Sequence, residues 1–241
     1  MTEEYLVNAC PNPLCFFEAD EAWSRLLKAN VTADHVIKYA CAPDESAEVP
    51  EIVERYRRIS ATSADILAAP AETKILQKLI WPLRHAKTSY MLGNYLGTIA
   101  MCGLVAEMIS ILLFEISDFR INNKPLGRKE QNALFGSSFE KLEQQRRVDV
   151  LLAYGMIDDS MKVKFDVIRT KRSRYLHLWS EKHEQLPKDA AAVYDATVGL
   201  VVKVIGQDFQ NGKLLLNPAL VTYLRRAGVL KAREAQGQDE T

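Results

Sequence analysis

A short run of basic and polar residues near position 170 contains the side chains best suited to chemistry. It comprises Arg169, Lys171, Arg172, Ser173, Arg174, Tyr175 and His177. His177 can exchange protons near neutral pH, because an unperturbed histidine has a pKa of about 6.5. Arg172 carries a permanent, forked charge that suits an anionic oxygen. The alternative interpretation is structural, since cations in the last turn of a helix are stabilised by about 0.3–1 kcal/mol each through the helix dipole.

The spacing of the two residues limits how they can cooperate. Positions five apart on a regular α-helix are separated by about 140° around its axis. Arg172 and His177 therefore converge more easily if the helix distorts near Tyr175, or if a second copy of the chain supplies partner groups.

The elements that must position this run are helices. Apolar residues recur at helical spacing through most of the chain, and strand signals are nearly absent. One helix is predicted at residues 140–154, with Ser138 as its N-terminal cap and Gly155 at its C-terminal end. Asp158 or Asp159 can cap the next helix, which carries the basic run. We therefore predict an all-α fold, an antiparallel helical bundle.

Three parts are predicted along the chain. Residues 1–70 form an additional N-terminal helical segment of unknown role, with helices at 16–29, after Thr32 and at 51–69. Residues 71–210 form the bundle, with a kink or break at Pro82 and a further helix starting at Pro187. Residues 211–241 contain a short helix, 218–227, and a polar tail.

The most apolar segment, residues 94–119, has two interpretations. Residues 96–113 form a stretch of 18 residues with one formal charge, Glu107, which is long enough to cross a membrane. An acid at the bilayer centre costs about 2.5–3.5 kcal/mol, however. We therefore predict a buried core helix and no membrane association.

Composition and charge narrow the class of protein. The chain has 241 residues, 26% of them charged, with a formal net charge of zero, which argues against disorder and against a nucleic-acid binder that uses its whole surface. The charge is uneven: residues 1–60 carry 6 basic and 11 acidic residues, and residues 120–175 carry 13 and 7. This asymmetry indicates either an anionic partner or attraction between the two segments.

The cysteines and the motifs point away from metal and cofactor chemistry. Cys10 and Cys15 are spaced at the edge of what a zinc knuckle uses, but no second pair completes four ligands. Cys102, inside the apolar segment, is predicted to be a small buried side chain. No secretory leader opens the sequence, which favours the cytoplasm. Glycine-rich phosphate loops and zinc-helix motifs are absent from the sequence, so we expect no cofactor.

Several segments in a fixed order resemble the HEPN superfamily of helical bundles. Residues 151–158 (Leu-Leu-Ala-Tyr-Gly-Met-Ile-Asp) and 166–169 precede residues 172–177, which read Arg-x4-His. Upstream, residues 86–100 resemble the opening of the first long HEPN helices, and Glu107 lies where many members place a glutamate on the second helix. The resemblance covers about residues 75–205.

The resemblance implies two kinds of function. Active members are metal-independent endoribonucleases of toxin and antiviral systems, in which two motifs meet at the interface of a homodimer. It implies Arg172, His177 and Glu107 as catalytic residues, with Arg169, Lys171, Ser173, Arg174 and Tyr175 binding RNA. Other members are silent dimerisation or docking modules. Ser173 follows the motif arginine where catalytic members usually carry Asn, Asp or His, which favours the silent kind.

The two hypotheses also differ in their partners. The silent module forms a homodimer or docks a protein partner. The alternative, an endoribonuclease acting in bacterial defence, binds single-stranded RNA and can work beside an antitoxin. A catalytic His177 must face an accessible basic cleft, whereas in a silent module it can be buried or bonded to an acid such as Glu107.

Overall fold

The helical periodicity of the sequence corresponds to eight α-helices in the described part of the computed structural model. The residues that the structure describes are 6–7, 9–11, 49–62, 66, 68–70, 74–121, 124–177, 184–206, 208–210 and 213–228. The helices are α1 (Val49–Thr62), α2 (Lys74–Met91), α3 (Tyr95–Ile116), α4 (Arg128–Phe135), α5 (Gln144–Ala153), α6 (Asp159–His177), α7 (Leu186–Ile205) and α8 (Pro218–Arg226). A 3-10 turn spans Phe139–Lys141. The prediction of an all-α helical bundle is confirmed.

In the described part of the chain, seven strands of two or three residues accompany these helices. They are β1 (Leu6–Val7), β2 (Ala9–Pro11), β3 (Ala68–Pro70), β4 (Arg120–Ile121), β5 (Lys124–Pro125), β6 (Asp208–Gln210) and β7 (Lys213–Leu215). All the pairings are antiparallel: β1 and β6 flank β7, β2 pairs with β3, and β4 pairs with β5. The β1–β7 pairing joins the predicted N-terminal and C-terminal parts of the chain.

The apolar helix α3 is the centre of the bundle. It packs against α2, α5, α6, α7 and α8. Half of its most apolar window is buried, and α3 is the one helix among the described residues that is long and apolar enough to cross a membrane. This combination is compatible with the core helix of a soluble protein, because surrounding helices supply the apolar contacts that lipid would otherwise provide.

Local hydrogen bonds define where several helices begin and end, as the sequence predicts. Asp158 Oδ1 accepts a hydrogen bond from the Met161 amide at 2.8 Å, which caps α6. At the end of α5, Gly155 has φ +67, and the amide of Met156 donates to the Leu151 carbonyl at 2.8 Å. This left-handed glycine reverses the chain between α5 and α6.

Several predicted features differ in the structure. The helix predicted at 51–69 ends at Thr62, and Ala68–Pro70 instead form β3, which pairs with β2. The sequence predicts no helix at α4, whose one buried residue is Phe135. The helix predicted from residue 140 begins at Gln144, because Leu142 is extended (ψ 150) and buried after the 3-10 turn. Helix α2 continues through Pro82 without a break. The helices predicted at 16–29 and after Thr32 lie outside the described residues.

Candidate functional site

The basic run is carried by α6, and one of its cations occupies a position that faces the core. Four residues of α6 at helical spacing are buried: Met161, Phe165, Ile168 and Tyr175. Arg172 continues this stripe, four positions after Ile168 and three before Tyr175. The charge of Arg172 therefore points toward the neighbouring helices rather than along the outer face of α6.

Arg172 forms an ion pair with Glu107 of α3. Its Nη1 donates to Glu107 Oε1, and the two side chains are 31% and 32% exposed. Gly103 of α3 makes room for the arginine: a Cβ added there would lie 2.6 Å from Arg172 Cδ. Two of the three residues that the resemblance implies as catalytic thus connect α6 to α3.

Arg147 of α5 completes this cluster, and the sequence reasoning did not identify it. It is 5% exposed and lies one turn before the buried Leu151. Burial lowers the pKa of Arg147, the negative charge of Glu107 opposes this, and the positive charge of Arg172 adds to it. The signal in the sequence that could have identified Arg147 was its position one helical turn before Leu151, on the side of the helix that is predicted to be buried. The cluster holds two guanidinium groups and one carboxylate.

A second acid, Asp189 of α7, gathers three further residues of the basic run. Lys171 Nζ lies 2.8 Å from Asp189 Oδ1, and Arg174 Nη1 lies 3.8 Å from Oδ2. The Tyr175 hydroxyl donates to the same Oδ2 at 2.8 Å. Asp189 was not identified from the sequence, because its position in the first turn of α7 is equally typical of an acid that stabilises a helix dipole.

The pKa values of this second cluster follow from burial and hydrogen bonding. Burial pushes the pKa of Asp189 upward, but the hydrogen bonds from Lys171 and Tyr175 outweigh it and hold the pKa below its usual value. Burial first, and then the hydrogen bond to Asp189, raise the pKa of Tyr175. Tyr175 is 6% exposed, so its ring lies within the bundle rather than on a surface where a base could stack.

The remaining candidates lie elsewhere on α6. Arg169 Nη2 is 3.5 Å from Asp166 Oδ1 on the same helix, and Ser173 is exposed. α6 remains helical through Tyr175 to His177, so the distortion that would bring His177 toward Arg172 is not present. The two positions lie about 140° apart around the helix axis. The side chain of His177 is outside what the structure describes.

The candidate metal ligands are dispersed in the described part of the chain. No group of three or more His, Cys, Asp or Glu side chains that could hold a metal ion occurs among the described residues. Cys10 lies in β2, and Cys15 lies outside the described residues. Cys102 is fully buried, as predicted, and desolvation raises its pKa to about 12.

The arrangement forms two clusters. The first holds Arg172, Glu107 and Arg147, and the second holds Lys171, Arg174, Tyr175 and Asp189. Its chemical capacity is the binding of anionic groups by guanidinium, with Glu107 as an acid beside them. Comparison of the chain with protein-family models, with curated proteins and with solved structures finds no match. The resemblance to the HEPN superfamily therefore stays a prediction from the sequence.

Proposed function

We propose that the chain is a HEPN-like helical module of the cytoplasm that is catalytically silent and functions by self-association. The observation that carries this proposal is the ion pair between Arg172 and Glu107. An arginine that neutralises a phosphate during cleavage must be able to leave its resting partner. Here the motif arginine lies on the core-facing stripe of α6, with its stem against Gly103, where it holds two helices together.

The other cations of the motif support the same conclusion. Lys171 and Arg174 face Asp189, which is 8% exposed, and Arg169 faces Asp166. A groove that binds RNA needs cations whose charge is not already compensated, because affinity comes from the phosphates that they neutralise. In this run Lys171 and Arg174 share Asp189, and Arg169 shares Asp166 with Lys162, so the acids of the same bundle offset part of those charges.

The surface that supports self-association is an apolar stripe on α3, which we call the α3 stripe. It consists of Met101, Leu104, Met108 and Ile111, with Met101 37% and Leu104 45% exposed. Spacings of three, four and three residues are those of a coiled-coil seam. The pattern is the same in both directions, so an antiparallel copy pairs position 101 with 111 and position 104 with 108. Such self-complementarity suits a two-fold interface.

The test is the mass of the particle in solution, measured by light scattering over a range of protein concentrations. We expect a dimer for the wild type and a monomer for Leu104→Glu, because the interface would bury two unpaired carboxylates. Val163→Glu is the matched control, since Val163 is an apolar residue of α6 that is 61% exposed and outside the stripe. A monomeric wild type at every concentration contradicts self-association, as does a dimer that Leu104→Glu leaves intact.

The alternative function is a metal-independent endoribonuclease acting on single-stranded RNA. It is favoured by the partial exposure of Arg172 and Glu107, each with about a third of its side chain reachable from solvent. The test is RNA cleavage by the purified protein in EDTA, beside a His177→Ala variant whose fold is verified by circular dichroism. Cleavage that leaves 2′,3′-cyclic phosphate ends and is lost in the variant would establish the enzyme and overturn the silent module.

A further inference from the structure

A cleft lies where the C-terminal end of α3, strand β4 and the end of α8 meet. Its volume is about 320 Å³, which suits a small molecule. Both charged and apolar residues line it, and they come from segments that are distant in the chain. None of them belongs to the α3 stripe, so binding in this cleft does not depend on self-association.

Two arginines share one carboxylate in the cleft. Arg120 donates through Nε and Nη2 to Asp118 Oδ2, at 2.9 and 2.8 Å. Arg226, which is 108 positions after Asp118, donates through Nη1 to Asp118 Oδ1. Its Nη2 donates to the backbone carbonyl oxygen of Glu115 at 3.0 Å. Asp118 thus holds two guanidinium groups side by side, and both of its oxygens accept hydrogen bonds.

The two arginines have binding capacity beyond Asp118. The hydrogen bond from Arg120 lowers the pKa of Asp118, and the one from Arg226 adds to this, so the carboxyl is charged at neutral pH and balances one guanidinium of the two. Arg120 Nη1 and Arg226 Nε make no hydrogen bond with the residues that the structure describes. The arginine side chains are 53% and 46% exposed, so a solute can reach them. A second carboxylate would give each guanidinium its own acid.

Glu115 adds a negative charge to the same cleft. It is an exposed residue, and its carboxylate forms no ion pair with any other residue in the described part of the chain. It lies in the last turn of α3, where the helix dipole also favours a cation. The charged residues that line the cleft are therefore two arginines and two acids, whose charges sum to zero.

The apolar part of the cleft is aromatic. The ring of Phe119 contacts that of Tyr154 edge to face, with 4.5 Å between the centroids, and its centroid lies 6.3 Å from that of Phe114. Leu126, which is buried, also lines the cleft. Because neighbouring rings hold Phe119 in place, it presents a fixed apolar surface to a ligand.

We propose that this cleft binds a free α-amino acid with an aromatic side chain. The carboxylate of the ligand accepts hydrogen bonds from Arg120 and Arg226, and its ammonium group faces Glu115. The ring of the ligand packs on Phe119. The neutral sum of charges favours a zwitterion over a simple anion, because a zwitterion preserves the balance and an anion leaves an excess of negative charge.

The experiment measures calorimetric binding and thermal unfolding with L-phenylalanine at constant ionic strength. We expect saturable binding and a rise in the melting temperature of the wild type, because a ligand stabilises the state that binds it. Three related compounds each lack one group: 3-phenylpropionate has no ammonium, phenethylamine no carboxylate and L-alanine no ring. Each should bind about tenfold more weakly or not at all, since a hydrogen-bonded charge or a buried ring is lost.

Variants assign the two ends of the ligand. Arg120→Met should weaken the binding of L-phenylalanine at least about tenfold, and Arg120→Lys, which keeps the charge but loses the fork, should also weaken it. Glu115→Gln should lower the affinity for L-phenylalanine to that for 3-phenylpropionate and leave the latter unchanged. Arg146→Met is the matched control, because Arg146 is an exposed arginine of α5 outside the cleft, and it should bind like the wild type.

Circular dichroism verifies that each variant is folded before its binding is compared. A wild type that does not bind L-phenylalanine would overturn the proposal, as would equal affinities in the wild type and Arg120→Met. Binding of 3-phenylpropionate as tight as that of L-phenylalanine would also overturn it, because the ammonium group would then have no acid to face.

Discussion

Arg172 and Glu107 are 65 positions apart in the sequence and form an ion pair that connects α6 to the central helix α3. The pair is not isolated, because the guanidinium of Arg147 on α5 lies within electrostatic reach of both. Three helices thus contribute one charge each to a cluster in which cations exceed acids. The balance of charge in this cluster decides what each substitution does.

We expect Glu107→Gln to be more destabilising than Arg172→Met. Removal of the acid leaves two guanidinium groups facing each other, and one of them is buried. Removal of Arg172 leaves Glu107 with Arg147 as its counter-charge. The expected losses in the free energy of unfolding are about 2 kcal/mol and about 1 kcal/mol, reduced because the pair is partly exposed.

Urea unfolding in phosphate-free buffer measures this difference. Glu115→Gln is the control, since Glu115 is an exposed acid on the same helix, and it should change the free energy of unfolding by less than about 0.5 kcal/mol. An Arg172→Met variant that loses more stability than Glu107→Gln would show that Arg147 does not share the acid.

Gly103 and Gly199 provide a matched pair of glycine substitutions in two helices. An added Cβ at Gly103 would lie 2.6 Å from Cδ and 3.0 Å from Nε of Arg172, whose end is held by Glu107. At Gly199 it would meet the end of the flexible Lys164 side chain at 2.7 Å. Gly103→Ala should therefore destabilise the protein by about 1–2 kcal/mol through overpacking. Gly199→Ala should be neutral or stabilising by up to about 1 kcal/mol.

Thermal or urea unfolding of both variants checks this prediction. Equal effects of the two substitutions would mean that Arg172 moves away from α3 as easily as Lys164 moves away from α7, and that the ion pair does not hold it.

Asp189 should be more important for stability than its neighbour Asp195. Asp189→Asn removes the negative charge that Lys171 and Arg174 share and weakens the acceptor of the Tyr175 hydroxyl. We expect a loss of about 2 kcal/mol in the free energy of unfolding, since the two cations still reach solvent. Asp195→Asn, on the exposed side of the same helix, is the control and should have little effect.

The difference in the free energy of unfolding between the wild type and Asp189→Asn should depend on pH, because the pKa of Asp189 is lowered in the folded protein. A carboxyl group whose pKa is lower in the folded state stabilises the fold above its unfolded pKa, about 3.9, and loses this contribution as the pH falls through the folded pKa. The stability difference between wild type and Asp189→Asn should therefore be constant near neutral pH and narrow below about pH 4. A difference that grows on acidification would contradict this assignment.

Cys102 should be inert toward alkylation in the folded protein. Its thiol is fully buried and has a pKa of about 12, so the thiolate that reacts with iodoacetamide is hardly populated at neutral pH. Peptide mass spectrometry after labelling should find Cys102 unmodified in buffer and modified in concentrated urea. Rapid labelling of Cys102 in buffer would indicate that α3 opens readily.

Several elements could be predicted from the sequence because their signals are local. Asp158 caps α6 and Gly155 ends α5 through hydrogen bonds within a few residues of each other. Helix α4 was missed because its local signal is weak: its apolar residues Leu134 and Phe135 are adjacent rather than at helical spacing, and only Phe135 is buried. The pairing of β1 with β7 was also missed, since such short strands depend on a partner that is distant in the chain.

The residues of the candidate site also fall into those that could be predicted from the sequence and those that could not. Arg172, Glu107 and the basic run were named from their types and spacing, and that spacing also fixed the separation of Arg172 and His177 around a regular helix. Arg147 and Asp189 were not named, because nothing in the sequence near them shows which charges they face. Only the packing of α5 and α7 against α6 brings these residues together.

The sequence by itself determined the helical class, the central position of the apolar helix and the caps around α6, because periodicity and capping act over one or two turns. The tertiary structure alone decided which charge compensates which: Glu107 faces Arg172 and Arg147, and Asp189 faces Lys171, Arg174 and Tyr175. The physical reason is that electrostatic and hydrogen-bonding energies depend on distance and burial in space, and neither is encoded by separation along the chain.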